Sequence, residues 1–588
     1  MSDRFQKLTS RALARSFRSV YVARKQQAAL GRRVAAMLGR TTAQDERVSE
    51  SDADLAAGRA KRTDRRRNIL FITVDQQRYD ALGVNGGSVA RTPAMDAVAA
   101  AGINYRRAHV QNVVCMPSRS TMITGQHPFT HGVIANGIAL PDEAPSVAKL
   151  LRREAGYRTA LIGKAHFEPH LDPLLEFYEN RCSAEGWTGP WRGFEHVELS
   201  THGPLGGHHY ASWLWEQHPE VVGGFAGVLT GAGGGDTGGP EVAHNQVPRE
   251  LYHTDWVAQR TLSWLRSLTE DDPWFCWMSF PDPHHPFDPP YDEVRNRIDW
   301  RDLDLPDRHP GAVDAVERVL SQRPRHWLDW YQGRFRNPEG GPVMFSPGRL
   351  THDQVREVNA MIHVENELID EACGRVFAWL RERGLDENTD IFYTSDHGEL
   401  QGDYGLMFKG PYHVESLLRI PLVWRPAPSA GIAAADVADP VGHIDLAPTF
   451  CRVAGVDIPA WMEGDTLPTA GGSDRERVLT TFDSQFAAVG MHLRTIYRDG
   501  WLCTAYLPRT SDLGGRFRLY WALWGTGTQV PDYDGTEGEL YNVRDDPRQW
   551  VNRWSDPECR KRRDELVADL FEHLPALHDP PLPVAAPT

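Results

Sequence analysis

Residues 68–75 read NILFITVD, and this stretch decides the fold class. The run is almost continuously apolar and contains β-branched side chains, which is typical of a strand buried on both faces of a parallel sheet. Residues 390–396, DIFYTSD, repeat the pattern. Further elements are predicted to alternate with these two: strands at 159–162 and 274–280, and helices at 95–101, 147–155 and 351–383. The alternation predicts an α/β fold with a mostly parallel central sheet.

The composition and the pattern of predicted elements change on both sides of this region. Residues 1–67 are rich in Arg and Ala, and a different pattern of short strands begins at residue 468. We therefore expect three parts: an N-terminal extension (1–67), a central domain (68–467) and a smaller C-terminal α+β subdomain with its tail (468–588). In the last part, strands are predicted at 493–497, 501–505 and 516–521, and a helix at 558–573. Two stretches inside the central domain are predicted to be long surface loops: 203–240 and 300–347.

Composition narrows the class of protein. The chain has 588 residues, of which 41% are hydrophobic, and a formal net charge of −15. This acidic balance argues against nucleic acid or an anionic membrane as the general partner, so an anionic ligand would need a local cationic pocket. The seven cysteines show no paired spacing, which favours a reducing compartment and a cytoplasmic location. No apolar run reaches the about 20 residues of a membrane-spanning helix, so no transmembrane segment is expected.

The N-terminal extension leaves several interpretations open. It lacks the apolar core of a secretory signal. An amphipathic targeting helix, a surface anchor, an oligomerisation arm and a solvated extension without chemistry all fit its composition. The oligomerisation arm would make the protein a homo-oligomer. A nucleic-acid-binding arm is a further alternative, and it predicts a strongly salt-dependent interaction that is lost without residues 1–67.

Acidic residues end the two strongest strands. Asp75 is followed by Gln76, and Asp396 is followed by His397. In open parallel sheets, ligands bind beyond the carboxyl ends of the strands. Oxygen donors together with one imidazole are suitable ligands for a divalent cation. The pattern therefore predicts a metal site, with a turn or a helix cap as the structural alternative.

A second motif lies between these strands, where residues 115–119 read CMPSR and Thr124-Gly125 follow. Pro117 suits the first turn of a helix, which places Cys115 at the positive end of the helix dipole. Arg119 lies one turn later and can point back at the same spot. A merely buried cysteine is the alternative, but four fixed residue types at this spacing seldom arise by chance.

The sequence resembles the sulfatase family of the alkaline-phosphatase-like superfamily. The likeness rests on CMPSR with the following STMITG, on NILFITVDQQRYDALG, TPAMDAVAAAGINYRRAHV, GYRTALIGKAHF, SFPDPHHPFDPP, the segment from GLDENTDIFYTSDHGEL to LLRIPLVWR, GHIDLAPTFCRVAGV and ELYNVRDDP. These segments span roughly residues 68–555. The resemblance implies an alkaline-phosphatase-like α/β/α sandwich.

The resemblance also implies a modification and a set of site residues. In the family, a formylglycine-generating enzyme oxidises the cysteine of C-x-P-S-R, which here would turn Cys115 into formylglycine (3-oxoalanine). One divalent metal ion, Ca²⁺ by family with Mn²⁺ or Mg²⁺ as alternatives, would be held by Asp75, Gln76, Asp396, His397 and the hydrated formylglycine at position 115. The other matching residues would surround the nucleophile or bind the substrate: Arg119, Lys164, His166, His284 and Lys409.

The implied reaction is hydrolysis of a small-molecule sulfate monoester. One hydroxyl of the hydrated aldehyde would attack sulfur, and either His284 or Lys409 would protonate the leaving alcohol. His166 would then remove the proton of the second hydroxyl, which expels sulfate and restores the aldehyde. Solvated lysines and structural histidines are the alternative interpretation of these positions.

The metal residues depart from the commonest family pattern. The pairs Asp-Gln and Asp-His resemble choline sulfatases and phosphonate monoester hydrolases, and Asn136 could contact substrate as an asparagine does in the latter. We expect a sulfate monoesterase; a phosphonate monoester or phosphodiester hydrolase and a catalytically silent anion-binding relative are the alternatives. Trp327, Trp330 and Tyr331 would suit an aryl or quaternary ammonium leaving group, and sugar sulfates stay open.

Overall fold

The computed structural model describes residues 2–37, 43–61, 66–170, 172, 174–203, 207–222, 225, 234–269, 271–337, 339, 345–484, 491–508, 531 and 533–585. The strands are β1 (Asn68–Val74), β2 (Ile103–Tyr105), β3 (Ala108–His109), β4 (Arg158–Gly163), β5 (His196–Leu199), β6 (Trp274–Ser279), β7 (Thr389–Ser395), β8 (Leu422–Arg425), β9 (Ala435–Val437), β10 (Val441–Gly442), β11 (Arg477–Asp483), β12 (His492–Arg498), β13 (Trp501–Leu507) and β14 (Gly538–Asn542).

The α-helices are α1 (Ser2–Met37), α2 (Ala43–Lys61), α3 (Pro93–Ala100), α4 (Cys115–Thr124), α5 (Pro128–His131), α6 (Val147–Ala155), α7 (Tyr178–Arg181), α8 (His209–Gln217), α9 (His253–Arg266), α10 (Tyr291–Arg297), α11 (Val313–Leu320), α12 (His326–Tyr331), α13 (His352–Glu382), α14 (Glu415–Leu418), α15 (Leu446–Ala454) and α16 (Arg560–His573). The predicted strands and helices of the central domain correspond to β1, β4, β6, β7, α3, α6 and α13. Their observed ends differ from the predicted ends by a few residues at most.

Eight of the described strands form the central sheet, in the order β5-β4-β6-β1-β7-β8-β2-β9. The strands from β5 to β7 are parallel, whereas β8 runs antiparallel to its neighbours β7 and β2. This arrangement confirms the predicted fold class. Strands β1 and β7 pair in register up to Val74↔Ser395. The residues that follow, Asp75 and Asp396, therefore leave the sheet side by side.

The sheet is buried on both faces because the side chains of each strand alternate between two cores. In β1, Ile69 and Phe71 join one core, while Leu70, Ile72 and Val74 join the other. Helices α4, α6 and α15 contribute to the first core, and α3, α9 and α13 contribute to the second. The molecule therefore has three layers, with the sheet between two layers of helices. Burial of apolar surface in the two cores holds these layers together, because each square ångström removed from water stabilises the fold by about 25 cal/mol.

The C-terminal part contains a separate antiparallel sheet. Within the described residues its strand order is β11-β12-β13-β14. Helix α16 packs against this sheet through a small apolar cluster: Ile496, Cys503, Leu540, Leu566 and Leu570. The strands predicted at 493–497 and 501–505 are β12 and β13, and the helix predicted at 558–573 is α16. The strand predicted at 516–521 lies outside the described residues.

Within its described residues, the predicted surface loop at 300–347 is partly exposed and partly packed, with the buried positions concentrated at 323–331. It contains α11 and α12, and the rings of Trp327, Trp330 and Tyr331 are buried in the core. Trp327 packs edge-on against Tyr412 with ring centroids 4.6 Å apart, and Trp330 stacks on the same ring. The expectation that these aromatic residues bind a leaving group is therefore wrong, because their rings fill the core.

The N-terminal extension packs against the central domain where its side chains are described. Tyr21 of α1 is buried against Trp215, and its hydroxyl donates to Glu216 at 3.2 Å. In α2, Gly58 lies so close to α6 that an added Cβ would stand 2.2 Å from the carbonyl oxygen of Arg152. Arg59 pairs with Asp272 at 2.6 Å. No helix among the described residues combines the length and the apolar character needed to cross a bilayer.

Candidate active site

The carboxyl ends of β1 and β7 meet the start of α4 in the centre of the molecule. Four potential ligand atoms lie there within 4.8 Å of one another: those of Asp75, Cys115, Asp396 and His397. All four side chains are buried. Cys115 is the first residue of α4, and its Sγ lies 3.2 Å from Nε2 of His397 and 3.7 Å from Oδ1 of Asp75.

Cationic side chains neutralise the two carboxylates. Arg119 donates from Nε to Oδ2 of Asp396 at 2.8 Å and from Nη2 to Oδ2 of Asp75 at 3.3 Å. Its Nη1 donates to Oγ of Ser279, at the end of β6, at 2.9 Å. The ammonium group of Lys164 contacts the Asp75 carboxylate directly. Burial alone would raise the pKa of Asp75, but Lys164 and Arg119 outweigh it and hold that pKa well below its usual range.

Lys409 contacts both the cysteine and His397. Its Nζ lies 3.0 Å from Sγ of Cys115, 2.8 Å from Nε2 of His284 and 3.3 Å from Nε2 of His397. Burial lowers the pKa of Lys409, but Cys115 and Asp75 outweigh burial and raise it above its usual range. Burial, followed by the charge of Asp75, raises the pKa of the Cys115 thiol to about 11. The thiol is therefore protonated near neutral pH, unlike a thiolate nucleophile.

Gln76 completes a set of donors that fits a divalent cation. It has a left-handed backbone with φ of 66°, and its N–H donates to Oδ1 of Asp396 at 3.0 Å. Its side-chain nitrogen contacts the carboxylate of Glu399 and lies 3.3 Å from Nδ1 of His285. The side-chain oxygen is buried and has no hydrogen-bond partner among the described residues. That oxygen and the two carboxylates are donors that a hard cation accepts in proteins, and the imidazole of His397 adds a nitrogen donor.

His166 lies beyond the end of β4, two residues after Lys164. It has a left-handed backbone with φ of 58°, and its N–H donates to Oε1 of Glu179 at 2.7 Å. Its ring stacks on that of His170 with centroids 3.6 Å apart. Both ring nitrogens are buried and without a hydrogen-bond partner among the described residues. Burial, with the charges of His170 and Lys164, holds the pKa of His166 well below its usual range, so the ring is neutral.

Asn136 joins the site through helix α4. Its Oδ1 accepts from the N–H of Met116 at 3.0 Å, and its Nδ2 donates to Oε2 of Glu339 at 2.9 Å. Nearby, Nδ2 of Asn337 donates to the carbonyl oxygen of Lys409 at 2.5 Å. The residues after α12 therefore contact the site through the polar side chains of Asn337 and Glu339, whereas the tryptophans of α12 do not take part.

Direct contacts join most of the predicted site residues into one cluster: Asp75, Cys115, Arg119, Lys164, His284, Asp396, His397 and Lys409. Gln76 joins this cluster through Asp396. Asn136 is connected to the cluster indirectly, through the N–H of Met116, the residue after Cys115. His166 is connected to it through the backbone of the loop that follows Lys164.

The residues that contact the site without having been predicted include Ser279, Glu399 and Glu339. Ser279 could have been found, because it ends the strand next to β1 and follows the same strand-end rule as Asp75. Glu399 could also have been predicted, because it lies only two residues after the predicted ligand His397 in the sequence. No local pattern in the sequence marks Glu339, because it approaches through the tertiary packing of the segment around α12.

Comparison with known proteins identifies the family. A family model described as Sulfatase matches residues 67–456. The N-acetylglucosamine-6-O-sulfatase of Bacteroides thetaiotaomicron is 26% identical over 87% of this chain and 87% of its own length. The choline-sulfatase of Rhizobium meliloti is 25% identical, covering 83% of this chain and 84% of its own. The crystal structure of the phosphonate monoester hydrolase of Agrobacterium radiobacter shares the fold with a TM-score of 0.66 and 24% identity, over 86% of this chain and 95% of that one. The chain therefore belongs to the sulfatase family and is a sulfuric ester hydrolase.

Proposed function

We propose that the protein hydrolyses sulfate monoesters with a formylglycine nucleophile, made from Cys115 by a formylglycine-generating enzyme. The position of Cys115 carries this proposal. Its Sγ lies at the start of α4 within 3.7 Å of Asp75, His397 and Lys409, where an attacking atom would meet both a cation site and a proton donor. A hydrated aldehyde places two hydroxyl oxygens where the sulfur lies, and it needs no ionised thiol.

The donor set supports one divalent cation in this site, held by Asp75, Gln76, Asp396, His397 and the modified residue 115. The buried side-chain oxygen of Gln76 has no hydrogen-bond partner among the described residues, and this observation favours a bound cation over a purely structural cluster. When bound, the cation would offset the charge of the sulfate ester and make a hydroxyl of the hydrate more acidic. The oxygen donors favour Ca²⁺, and the imidazole of His397 extends the choice to Mn²⁺, with Mg²⁺ as a further alternative.

The side chains divide the remaining work. One hydroxyl of the hydrate gives its proton to water, its oxygen forms a bond to sulfur, and the bond from sulfur to the alcohol oxygen breaks. Lys409 lies closest to the reacting position and gives the proton to the leaving alcohol, while neutral His284 accepts a hydrogen bond from it at 2.8 Å. His166, kept neutral by burial, takes the proton of the second hydroxyl. The carbon–oxygen bond to sulfate then breaks, the aldehyde re-forms, and water hydrates it again.

The nature of the transferred group is the second part of the proposal. Lys164 and His166 match the sulfatase pattern G-K-x-H, which favours sulfate over phosphonate. The pairs Asp75-Gln76 and Asp396-His397 are the observation that favours a phosphonate monoester or phosphodiester as a second substrate class. We therefore propose sulfate monoesters as the preferred substrates, with weaker turnover of phosphonate esters at the same site. The N-acetylglucosamine-6-sulfate and choline sulfate enzymes among the relatives make sugar and choline sulfates the first compounds to assay.

The deciding experiment is the mass of the tryptic peptide 108–119, from protein produced with a formylglycine-generating enzyme. Conversion of the CH₂SH side chain to an aldehyde supports the mechanism. Rates with matched sulfate and phosphonate esters of one alcohol then decide the substrate class. If the thiol persists under conditions that convert a control sulfatase, the nucleophile assignment fails and a silent anion-binding protein becomes the better description.

A further inference from the structure

A second group of potential metal ligands lies next to the loop that carries His166. It consists of His170 in that loop, Glu179 in α7 and His208, which directly precedes α8. Their ligand atoms lie within 4.8 Å of one another. Glu179 and His208 are each about 1% exposed. None of the three belongs to the cluster around Cys115.

The spacing of these ligands agrees with a small metal ion. Nε2 of His170 lies within hydrogen-bond distance of Oε1 of Glu179, at 3.2 Å, and a bound ion would take the place of that hydrogen bond. Two ligands held tetrahedrally at the usual zinc distances of about 2.0–2.2 Å are separated by roughly 3.4 Å. The rings of His170 and His208 have centroids 5.5 Å apart and are inclined by 76°. The two imidazoles therefore converge from different directions instead of stacking.

Within the described residues, His208 has a buried ring nitrogen that is available to a metal ion. Its Nδ1 lies 3.3 Å from Oγ1 of Thr201, a contact that sets the direction of the ring. Its Nε2 is buried and has no hydrogen-bond partner among the described residues. Leaving a buried polar atom unsatisfied costs about 1–3 kcal/mol, and a bound cation would remove that cost.

We propose that His170, Glu179 and His208 form a second metal site, which binds a transition metal ion of the zinc type. Two imidazole nitrogens and one carboxylate are a ligand set that prefers Zn²⁺ over Ca²⁺ or Mg²⁺, and three protein ligands leave one position for water. The cluster around Cys115 is dominated by oxygen donors and has the opposite preference. The two sites therefore select different ions.

The site would hold the loop that carries His166. Glu179 accepts hydrogen bonds from the N–H groups of His166 at 2.7 Å and Phe167 at 2.9 Å. His170 stacks directly on the His166 ring. An ion that joins Glu179, His170 and His208 would fix the two side chains that contact His166, namely Glu179 and His170. The three ligands are therefore positioning residues for His166. This consequence rests on the proposed role of His166, whereas binding of the ion does not.

Metal binding tests the site without any assay of ester turnover. Metal-free full-length protein is titrated with Co²⁺, and the visible absorption of tetrahedral Co²⁺ is recorded. We expect the signal in wild type and in Asp396→Ala, which lacks a ligand of the other site, and its loss in His208→Ala. His218→Ala is the matched control, because His218 is a partly exposed histidine with its ring near Glu220, outside the cluster. Retention of the signal in His208→Ala, or its loss in Asp396→Ala, overturns the assignment.

Thermal unfolding guards against a variant that merely fails to fold. Zn²⁺ should raise the midpoint temperature of thermal unfolding in wild type and in His218→Ala, because an ion that binds only the folded state stabilises that state. His170→Asn and His208→Ala should unfold cooperatively with no such rise. A wild-type protein that shows neither a Zn²⁺-dependent rise nor a tetrahedral Co²⁺ signal has no second site, whatever the behaviour of the variants.

Discussion

At the scale of single residues, the surroundings of Cys115 decide its chemistry. The buried thiol contacts Asp75, His397 and the charged Lys409. Its raised pKa makes it a poor nucleophile as it stands. The same position suits an aldehyde hydrate, because the groups that surround it can take up and give back protons.

Replacing Cys115 by Ala should abolish turnover and leave the fold intact. We expect sulfate ester hydrolysis to fall by a factor on the order of 10⁴ or more, because the nucleophile is lost. The free energy of unfolding should stay within about 1 kcal/mol of wild type, since a single sulfur atom is removed. Steady-state rates and chemical denaturation measure the two quantities. Cys451→Ala is the control: this thiol is buried in α15, so its loss should cost about 1 kcal/mol and spare the activity. Substantial turnover by Cys115→Ala would refute the mechanism.

Asp396→Ala should remove the cation of the active site. The substitution deletes one carboxylate donor and leaves Arg119 without its 2.8 Å partner, so the site loses affinity and gains net positive charge. Elemental analysis after dialysis should show a loss of about one equivalent of Ca²⁺ or Mn²⁺. Asp390→Ala, at the opposite end of β7, should weaken stability through its contact with Arg67 but keep the ion. Equal metal content in both variants would contradict the assignment.

At the scale of elements, α14 connects the central sheet region to the C-terminal part. Glu415, its first residue, accepts from Nε2 of His109 at 2.7 Å, and its N–H donates to Oε1 of Gln549 at 2.8 Å. Burial alone would raise the pKa of Glu415, but His109 and then Arg419 and Arg107 outweigh it and lower it to about 2. The charged carboxylate is therefore part of the packing between these elements.

This contact should make stability depend on pH in the acid range. Because the folded pKa lies below the ordinary value of 4.5, the stabilisation is complete above about pH 4.5 and is lost as the pH falls towards 2. The loss is at most roughly 3 kcal/mol. The free energy of unfolding, measured by chemical denaturation at several pH values, should fall more steeply between about pH 5 and about pH 3 in wild type than in Glu415→Gln. Glu476→Gln, at a half-exposed side chain, should behave as wild type. Identical pH dependence in all three proteins would show that Glu415 contributes nothing.

At the scale of the whole molecule, the N-terminal helices hold segments that lie near the active site. Tyr21 of α1 is inserted against Leu175 and Trp215, and Arg24 donates to the carbonyl oxygen of Leu174 at 3.0 Å. Leu174 and Leu175 precede α7, which carries the proposed ligand Glu179, and Trp215 lies in α8, which directly follows the proposed ligand His208. The described part of α1 therefore packs against segments next to the loop that holds His166, although none of the described side chains of the extension contacts the cluster around Cys115.

Tyr21→Ala should loosen this part of the molecule. Removing a buried aromatic ring costs roughly 3 kcal/mol, and here the cost falls on the anchoring of α1. We expect faster hydrogen exchange of backbone amides in residues 174–186 and 209–217 and little change in β1 or β7. Leu30→Ala is the matched control, because Leu30 lies on the same helix with 63% of its side chain exposed. Unchanged exchange in Tyr21→Ala would mean that α1 does not stabilise these segments.

Local patterns were sufficient for the parts of the protein that depend on near neighbours. The apolar runs of β1 and β7 indicate doubly buried parallel strands, and the paired residues at their ends indicate a metal site. The CMPSR motif places Cys115 at a helix start from the helix preference of Pro117 alone. These conclusions needed no tertiary information because strand burial and helix initiation are set within a few residues along the chain.

Only the tertiary structure decided which distant side chains meet. The packing of the segment around α12 buries Trp327 and Trp330, which composition suggested for ligand binding, and brings Glu339 to Asn136 instead. The grouping of His170, Glu179 and His208 also depends on how three separate segments pack. Such contacts follow from the balance of burial over the whole chain, so a sequence pattern determines the elements and the strand-end site, and packing determines the rest of the pocket.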